Sequence, residues 1–312
     1  MKKLKTIFLG NPTFSLPALK ALFNSEYIEL SAVCGSPDKP NGRGKKIQSP
    51  ATVEYAKKNN IKIFQNDSIN KDEKFIKYCE EEKPDIFIVL AFSHFLSQRI
   101  LDLPKVGCFN IHTSILPKYR GSSPIHYALL NGDQSTGVSI QKMVKKMDAG
   151  DIGHFESQKI SADDNYKTLS EKLSNLSASA LIDFMNQIAT NKASFYSQKE
   201  NEVTFAPLIK KTDGLITFLE NAIEILNKTK AFYIWPGTFF EIGSIAYKFK
   251  NIKIHSSTKP SPGKIKITSK EIYIDCLDAT IELLDIQPPG KPIMSATSFL
   301  NGYKFEKDQV EK

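Results

Sequence analysis

Residues 86–92, Ile-Phe-Ile-Val-Leu-Ala-Phe, form an unbroken apolar run of strand length, and a strand with no polar face has to be covered on both sides. The segments before it supply the cover. Residues 6–10 read as a strand, 15–23 as a helix with Ser15 as its cap and Pro17 in its first turn, and 27–34 as a second strand. Residues 49–57 read as a helix entered through a Ser-Pro cap, 61–64 as a short strand, and 72–81 as a polar helix leading to the apolar run. Strand and helix in alternation predict an α/β fold: a doubly wound, mostly parallel sheet.

The next strand-like stretch, residues 106–112, ends in polar chemistry. Side chains alternate along a strand, so Asn110 and His112 share one side at its C-terminal end, the edge where open α/β sheets bind ligands. An amide donor beside an imidazole can stabilise the negative charge on a carbonyl oxygen under nucleophilic attack. The strand-like residues 137–143 then lead into an acid-and-glycine loop, residues 146–152. Its Asp148 could pair with His112, orient it, and help remove a proton from an attacking amine. Taken singly, each has a blander reading: a structural histidine, and a turn-forming acid.

Composition narrows the class. With 41% hydrophobic and 24% charged residues over 312 positions, the chain reads as an ordinary globular protein of about two domains. No apolar run has the length of a membrane span, and residues 6–9 are too few for the core of a signal peptide, so a cytosolic protein is expected. Neither the four cysteines nor the five histidines show metal-ligand spacing, and no metal is expected. Gly10-Asn11-Pro12 after the first strand lacks the dinucleotide glycine pattern. Residues 37–46 combine Gly and Pro with basic side chains in an exposed loop that is not a phosphate-binding P-loop. The formal charge is +8, and residues 228–270 hold nine lysines against one acid, Glu241. That concentration points to a polyanionic partner.

Asn110, His112, the Ser114-Ile115-Leu116-Pro117 turn, Arg120-Gly121, Pro124-Ile125-His126 and Asp148-Ala149-Gly150-Asp151 together resemble the folate-dependent formyltransferases. The resemblance implies Asn110, His112 and Asp148 as the catalytic set and a folate pocket lined by Phe92, Ser114, Ile115, Leu116 and Pro117; Phe14, after the first strand, either lines that pocket or packs into the core. Ser93 departs from the family pattern, which has glycine after the aromatic residue, and Ser177 stands where relatives often carry a helix-packing glycine. The Gly42-Arg43-Gly44-Lys45-Lys46 loop is similar to the tRNA-probing loop of methionyl-tRNA formyltransferases, with Arg43 at the position of its main base and Lys45 and Lys46 as phosphate contacts.

The polar stretch 197–205 reads as a linker, separating a catalytic domain of residues 1–196 from a C-terminal domain of residues 206–312. The latter has a helix at 221–229 and short strands at 246–250, 263–267, 272–276 and 280–286, which predict a small β-barrel, OB-like in type. Trp235-Pro236-Gly237-Thr238, residues 287–294 and Phe299-Leu300-Asn301-Gly302 extend the resemblance across nearly the whole chain. Lys248, Lys250, Lys264 and Lys266 are candidate tRNA phosphate contacts, or simply the solvated face of amphipathic strands. What the resemblance implies is formyl transfer from 10-formyltetrahydrofolate to initiator methionyl-tRNA by a monomer. The same three polar groups would also serve an amine on glycinamide ribonucleotide or a sugar nucleotide, or a water in a hydrolase. A nucleic-acid-binding module that has lost the chemistry is the alternative from another class, and Ser93 is the residue that points to it.

Overall fold

The computed structural model describes residues 3–41, 46–256, 259–307 and 309–310. The chain packs as two compact units. The first comprises residues 1–124, 135–159 and 170–205, and the second residues 125–134, 160–169 and 206–312.

The first unit is built on β1 (Leu4–Gly10), α1 (Leu16–Phe23), β2 (Ile28–Gly35), the short pair β3 (Lys39–Asn41) and β4 (Lys46–Gln48), α2 (Ala51–Lys58), β5 (Lys62–Gln65), α3 (Glu73–Glu82) and β6 (Ile86–Leu90). It continues through α4 (Gln98–Leu101), β7 (Gly107–His112), β8 (Ser135–Lys142) and β9 (Ile152–Lys159). Between β7 and β8 lies α5 (Pro124–Leu130), all but its first residue in the second unit, and the division between units also falls inside α6 (Tyr166–Ala189). The seven-stranded sheet has the order β5-β2-β1-β6-β7-β8-β9, parallel from β5 to β7 and antiparallel from β7 to β9.

All five residues of β6 are buried, as an apolar run flanked by β1 and β7 requires. Alternation sorts them: Ile7, Leu9, Phe87, Val89 and Cys108 join one core with Phe75, Ile76 and Cys79 of α3, while Phe109 faces the other way onto Phe184 of α6 at 4.9 Å. Asp72 caps α3, its carboxylate accepting from the backbone N–H groups of Lys74 and Phe75.

After β1 the chain runs to β2 and β5 on one side, then crosses to β6 on the other. The strand order therefore reverses at β1/β6, which places a crevice at their C-terminal ends. Gly10 is required there, because a Cβ on it would stand 2.7 Å from the Leu90 carbonyl oxygen. Asn11 ties the crevice walls together, donating to Phe92 O and accepting from Ser36 N–H.

Five local expectations change. Ser15 makes no side-chain cap bond to α1, its hydroxyl being turned to donate to Leu90 O at 2.8 Å, and Ser49-Pro50 gives α2 no side-chain cap. The expected 37–46 loop contains β3 and the first residue of β4, which pair antiparallel, and its Arg43 and Lys45 lie outside the described residues. The half-exposed edge strand β9 was not foreseen. Ser177 is buried within α6 with its hydroxyl donating to Leu173 O, so serine fits where glycine is usual.

The second unit adds α7 (Ala222–Ala231), where the Glu224 carboxylate accepts from the Asn221 N–H at the helix start, the pair β10 (Thr238–Ile242) and β11 (Ile245–Phe249), and the strands β12 (Ile252–Ser256), β13 (Ile265–Ile267), β14 (Ile272–Asp275) and β15 (Ala279–Leu283). The pair β16 (Asp285–Ile286) and β17 (Met294–Ser295) and the helix α8 (Ala296–Gly302) complete it. All strand pairs are antiparallel and enclose one apolar core, including Phe218, Phe240, Phe249, Ile274, Ile281 and Phe299. This is the expected small barrel, with its wall in short sheets linked by single bridges such as Lys248–Gln287 and Lys264–Gln309. Among the described residues, no helix is long and apolar enough to cross a membrane.

Candidate active site

Asn110 and His112 do share a face of β7, and the loop after β8 delivers Asp148 to both. The Asp148 carboxylate is the hub. Oδ2 accepts from the Gly121 backbone N–H at 2.9 Å and stands 3.7 Å from His112 Nδ1, and Oδ1 accepts from Gln141 Nε2 at 2.8 Å and, more weakly, from Asn110 Nδ2 at 3.4 Å. Both members of the His112–Asp148 pair are largely shielded from solvent, with side chains 6% and 12% exposed, so the carboxylate acts on the imidazole with little screening.

The other imidazole nitrogen fixes the proton pattern. His112 Nε2 lies 2.8 Å from the Tyr119 carbonyl oxygen, which can only accept, so Nε2 carries a hydrogen. In the neutral ring Nδ1 then holds the lone pair and faces the carboxylate. Among the described residues Asn110 Nδ2 has only its long bond to Asp148, leaving the amide able to turn toward a substrate oxygen.

The supporting loops are tightly determined. A Cβ on Gly150 would lie 1.6 Å from the Lys142 carbonyl oxygen, so only glycine lets the Asp148 loop close against β8. Asp148 sits at φ 50° and Tyr119 at φ 63°, left-handed conformations that non-glycine residues rarely adopt. Ser93 is at φ 62°, a left-handed conformation that glycine adopts freely, so the loop keeps its turn and serine bears the strain.

The remaining sequence candidates are distributed as follows. The Ser114–Pro117 turn adjoins His112 and is strapped to β8, where Ser139 Oγ accepts from Leu116 N–H and donates to Ser114 O. Ser114 and Leu116 are buried, whereas Ile115 and Pro117 are half-buried. Phe14 is half-buried beside the β1/β6 crevice, and Phe92 packs into the core, in contact with the His94 ring.

In the second unit Lys266 pairs with Asp275, Lys250 stacks over the Tyr233 ring at 4.5 Å, and Lys248 and Lys264 are exposed, as is Lys46 in the first unit. Three potential metal ligands, His154 and Glu156 of β9 and Asp183 of α6, have ligand atoms within 4.8 Å of one another, but none belongs to the group around Asp148.

Sequence reasoning missed Gln141 and Gln198. Gln141 is 2% exposed, and its amide joins Asp148 to the Gly150 N–H; its signal was a polar residue in phase with Ser139 on a strand whose other face is Val138 and Ile140. Gln198, in the presumed linker, donates to the carbonyl oxygens of Asp148 and Gly150, and nothing local in its sequence announces this.

Comparison with known proteins places these features. The family description "Formyl transferase" matches residues 4–185, and "Formyl transferase, C-terminal domain" matches residues 208–304. The methionyl-tRNA formyltransferase of Kosmotoga olearia is 35% identical over 306 residues, spanning 97% of this chain and 98% of its own, and that of Mesoplasma florum is 36% identical over 301 residues, spanning 96% and 95%.

Among solved structures, WlaRD, a sugar 3N-formyl transferase crystallised in the presence of dTDP and 5-N-formyl-THF, superposes with a TM-score of 0.66 at 19% identity, covering 94% of this chain and all of that one. HypX from Aquifex aeolicus in complex with tetrahydrofolic acid gives 0.62 at 13% identity over the whole of this chain and 51% of that one. At such identities the structures attest the fold alone. The full-length relatives go further, and the chain belongs to the formyl transferase family, among the methionyl-tRNA formyltransferases.

Proposed function

We propose that this protein transfers the formyl group of 10-formyltetrahydrofolate to the α-amine of methionine esterified to initiator tRNA. The observation that carries the chemistry is the convergence of Asn110, His112 and Asp148, with Nδ1 of the imidazole turned toward the carboxylate.

The neutral amine attacks the formyl carbon, a C–N bond forms, and the formyl oxygen becomes an oxyanion. Asn110 Nδ2 donates to that oxygen, a contribution worth about 10²–10³ in rate for a well-aimed donor. Because Nε2 already bears a hydrogen, Nδ1 is the base that takes the amine proton, and the N–H so formed lies on the side of the Asp148 carboxylate. Asp148 balances the resulting imidazolium. Collapse breaks the bond from the formyl carbon to N10 of the folate, and Nδ1 returns the proton to N10, leaving tetrahydrofolate and the formylated amine.

The catalytic reading includes the 114–117 turn, Phe14 and Phe92 as walls of the folate site, at or near the β1/β6 crevice. Lys46, Lys248 and Lys264 are exposed cations suited to tRNA phosphates, and Arg43 and Lys45 extend the same reading into the loop. Lys250 and Lys266 would first have to leave Tyr233 and Asp275. The protein acts as a monomer in the cytoplasm on this reading, with no metal in the reaction.

Formylation assayed in parallel with charged initiator tRNA, an amino-sugar nucleotide and no acceptor tests the assignment. Product only with the tRNA supports it. Formylation of the sugar amine, or folate hydrolysis without acceptor at the same rate, overturns it.

A further inference from the structure

We infer that residues 197–205, which read as a passive connector between domains, are part of the catalytic apparatus, with Gln198 and Thr204 as positioning residues for Asp148 and His112. The inference rests on the catalytic roles proposed above.

The segment grips the site at two places. Gln198 Nε2 donates to Asp148 O at 2.9 Å and to Gly150 O at 2.7 Å, while its Oε1 accepts from Arg120 Nε at 3.0 Å. Thr204 Oγ1 accepts from the Tyr119 N–H at 2.9 Å, and Thr204 O accepts from the Arg120 N–H at 2.9 Å. Tyr119 O is the acceptor that fixes the hydrogen on His112 Nε2. One end of the segment thus holds the backbone of the acid, and the other holds the backbone that orients the imidazole.

These are the two places where an external hold is needed. Asp148 and Tyr119 are both non-glycine residues with positive φ, a conformation that persists only when the surroundings over-determine it. A loop residue relaxing from that region would swing its side chain or carbonyl by more than the 3.7 Å gap between Nδ1 and Oδ2 tolerates. Arg120 anchors the arrangement: at 2% exposure, it commits Nε to Gln198 and one terminal nitrogen to Glu200, at 3.0 Å each. A buried guanidinium holds this segment even though its other terminal nitrogen has no partner among the described residues.

The test measures kcat and KM for both substrates in the full chain. Q198A should lower kcat about 10–100-fold, the usual effect of losing a group that orients a reacting one, with KM changed less than about threefold. Q198E keeps an acceptor for Arg120 but cannot donate to the two carbonyls, and should lose as much. T204V should lose kcat and T204S should recover it, a pair that reports even if Q198A folds poorly.

In a D148A background, Q198A should reduce kcat no further, because the group it positions is gone. Wild-type turnover in Q198E and T204V, or an undiminished Q198A effect in the D148A background, overturns the inference. A fully active D148A protein would instead defeat the catalytic assignment on which it rests.

Discussion

Replacing Asp148 by Asn leaves the volume unchanged and removes one acceptor oxygen together with the charge. The carboxylate now serves the Gly121 N–H through Oδ2 and the amides of Gln141 and Asn110 through Oδ1. Asparagine has one oxygen for these two sides. The Gly121 N–H is backbone and cannot turn, so the asparagine oxygen goes there and its NH₂ faces Gln141. Gln141 can accept only by rotating its amide, which withdraws Oε1 from the Gly150 N–H.

One charge-assisted bond is lost and one backbone donor is orphaned, together about 2–3 kcal/mol. Thermal unfolding should show this as a fall of about 6 °C in the midpoint of the first unit. Turnover should suffer more. Without an anion opposite Nδ1, the imidazole's proton transfer is no longer supported, and kcat should drop about 10²–10⁴-fold while KM stays near its original value. Single-turnover formylation of charged tRNA separates the chemical step from product release. A D148N protein that keeps more than about a tenth of kcat, or that loses activity through KM, refutes the role given to the carboxylate.

Three further expectations concern parts of the molecule away from Asn110, His112 and Asp148. S93G relieves a serine held at φ 62°, so after the extra chain entropy of glycine it should stabilise by about 0.5–1 kcal/mol without altering turnover; a lowered unfolding midpoint in calorimetry contradicts this. Burial pushes His126 down to about 4, against the opposing effect of its hydrogen bond with the Trp235 backbone. The unfolded chain, titrating near 6.5, therefore takes the proton first. Stability is complete above pH 6.5 and declines by about 3 kcal/mol as pH falls toward 4. H126F, which can keep the stacking on Tyr166, should flatten that acid arm, and an unchanged pH profile counts against it. Finally, all four thiols are buried, with Cys79 and Cys276 pushed up to about 12 by desolvation. A thiol reagent at pH 8 should label none of them until the protein unfolds, and rapid native labelling would show otherwise.

What could be read from the sequence was whatever depends on near neighbours. The β6 run announces burial by its composition, and Asn110 and His112 declare a common side by their spacing of two. Edge strand β9 hides because half of its side chains face solvent, so its sequence has no apolar signature, and β10 and β12 were overlooked among aromatic and lysine-rich residues. Ser15 misleads because a hydroxyl at a helix start suits a cap, whereas here it is oriented to donate to Leu90 O, 75 residues away in the chain. Gln141 and Gln198 matter through partners that only the fold brings near, seven and fifty residues from Asp148. The convergence of His154, Glu156 and Asp183 is unreadable for the same reason, since strand and helix each contribute part of it.

The grip of Thr204 on Tyr119 has a consequence for biosynthesis. Asn110, His112 and Asp148 leave the ribosome early, but the bond that steadies Tyr119 waits for residue 204. A nascent chain halted at residue 196 would carry every reacting group and still lack the bonds that hold them in register. Any minimal catalytic fragment should therefore be cut after Phe205, where the first compact unit ends.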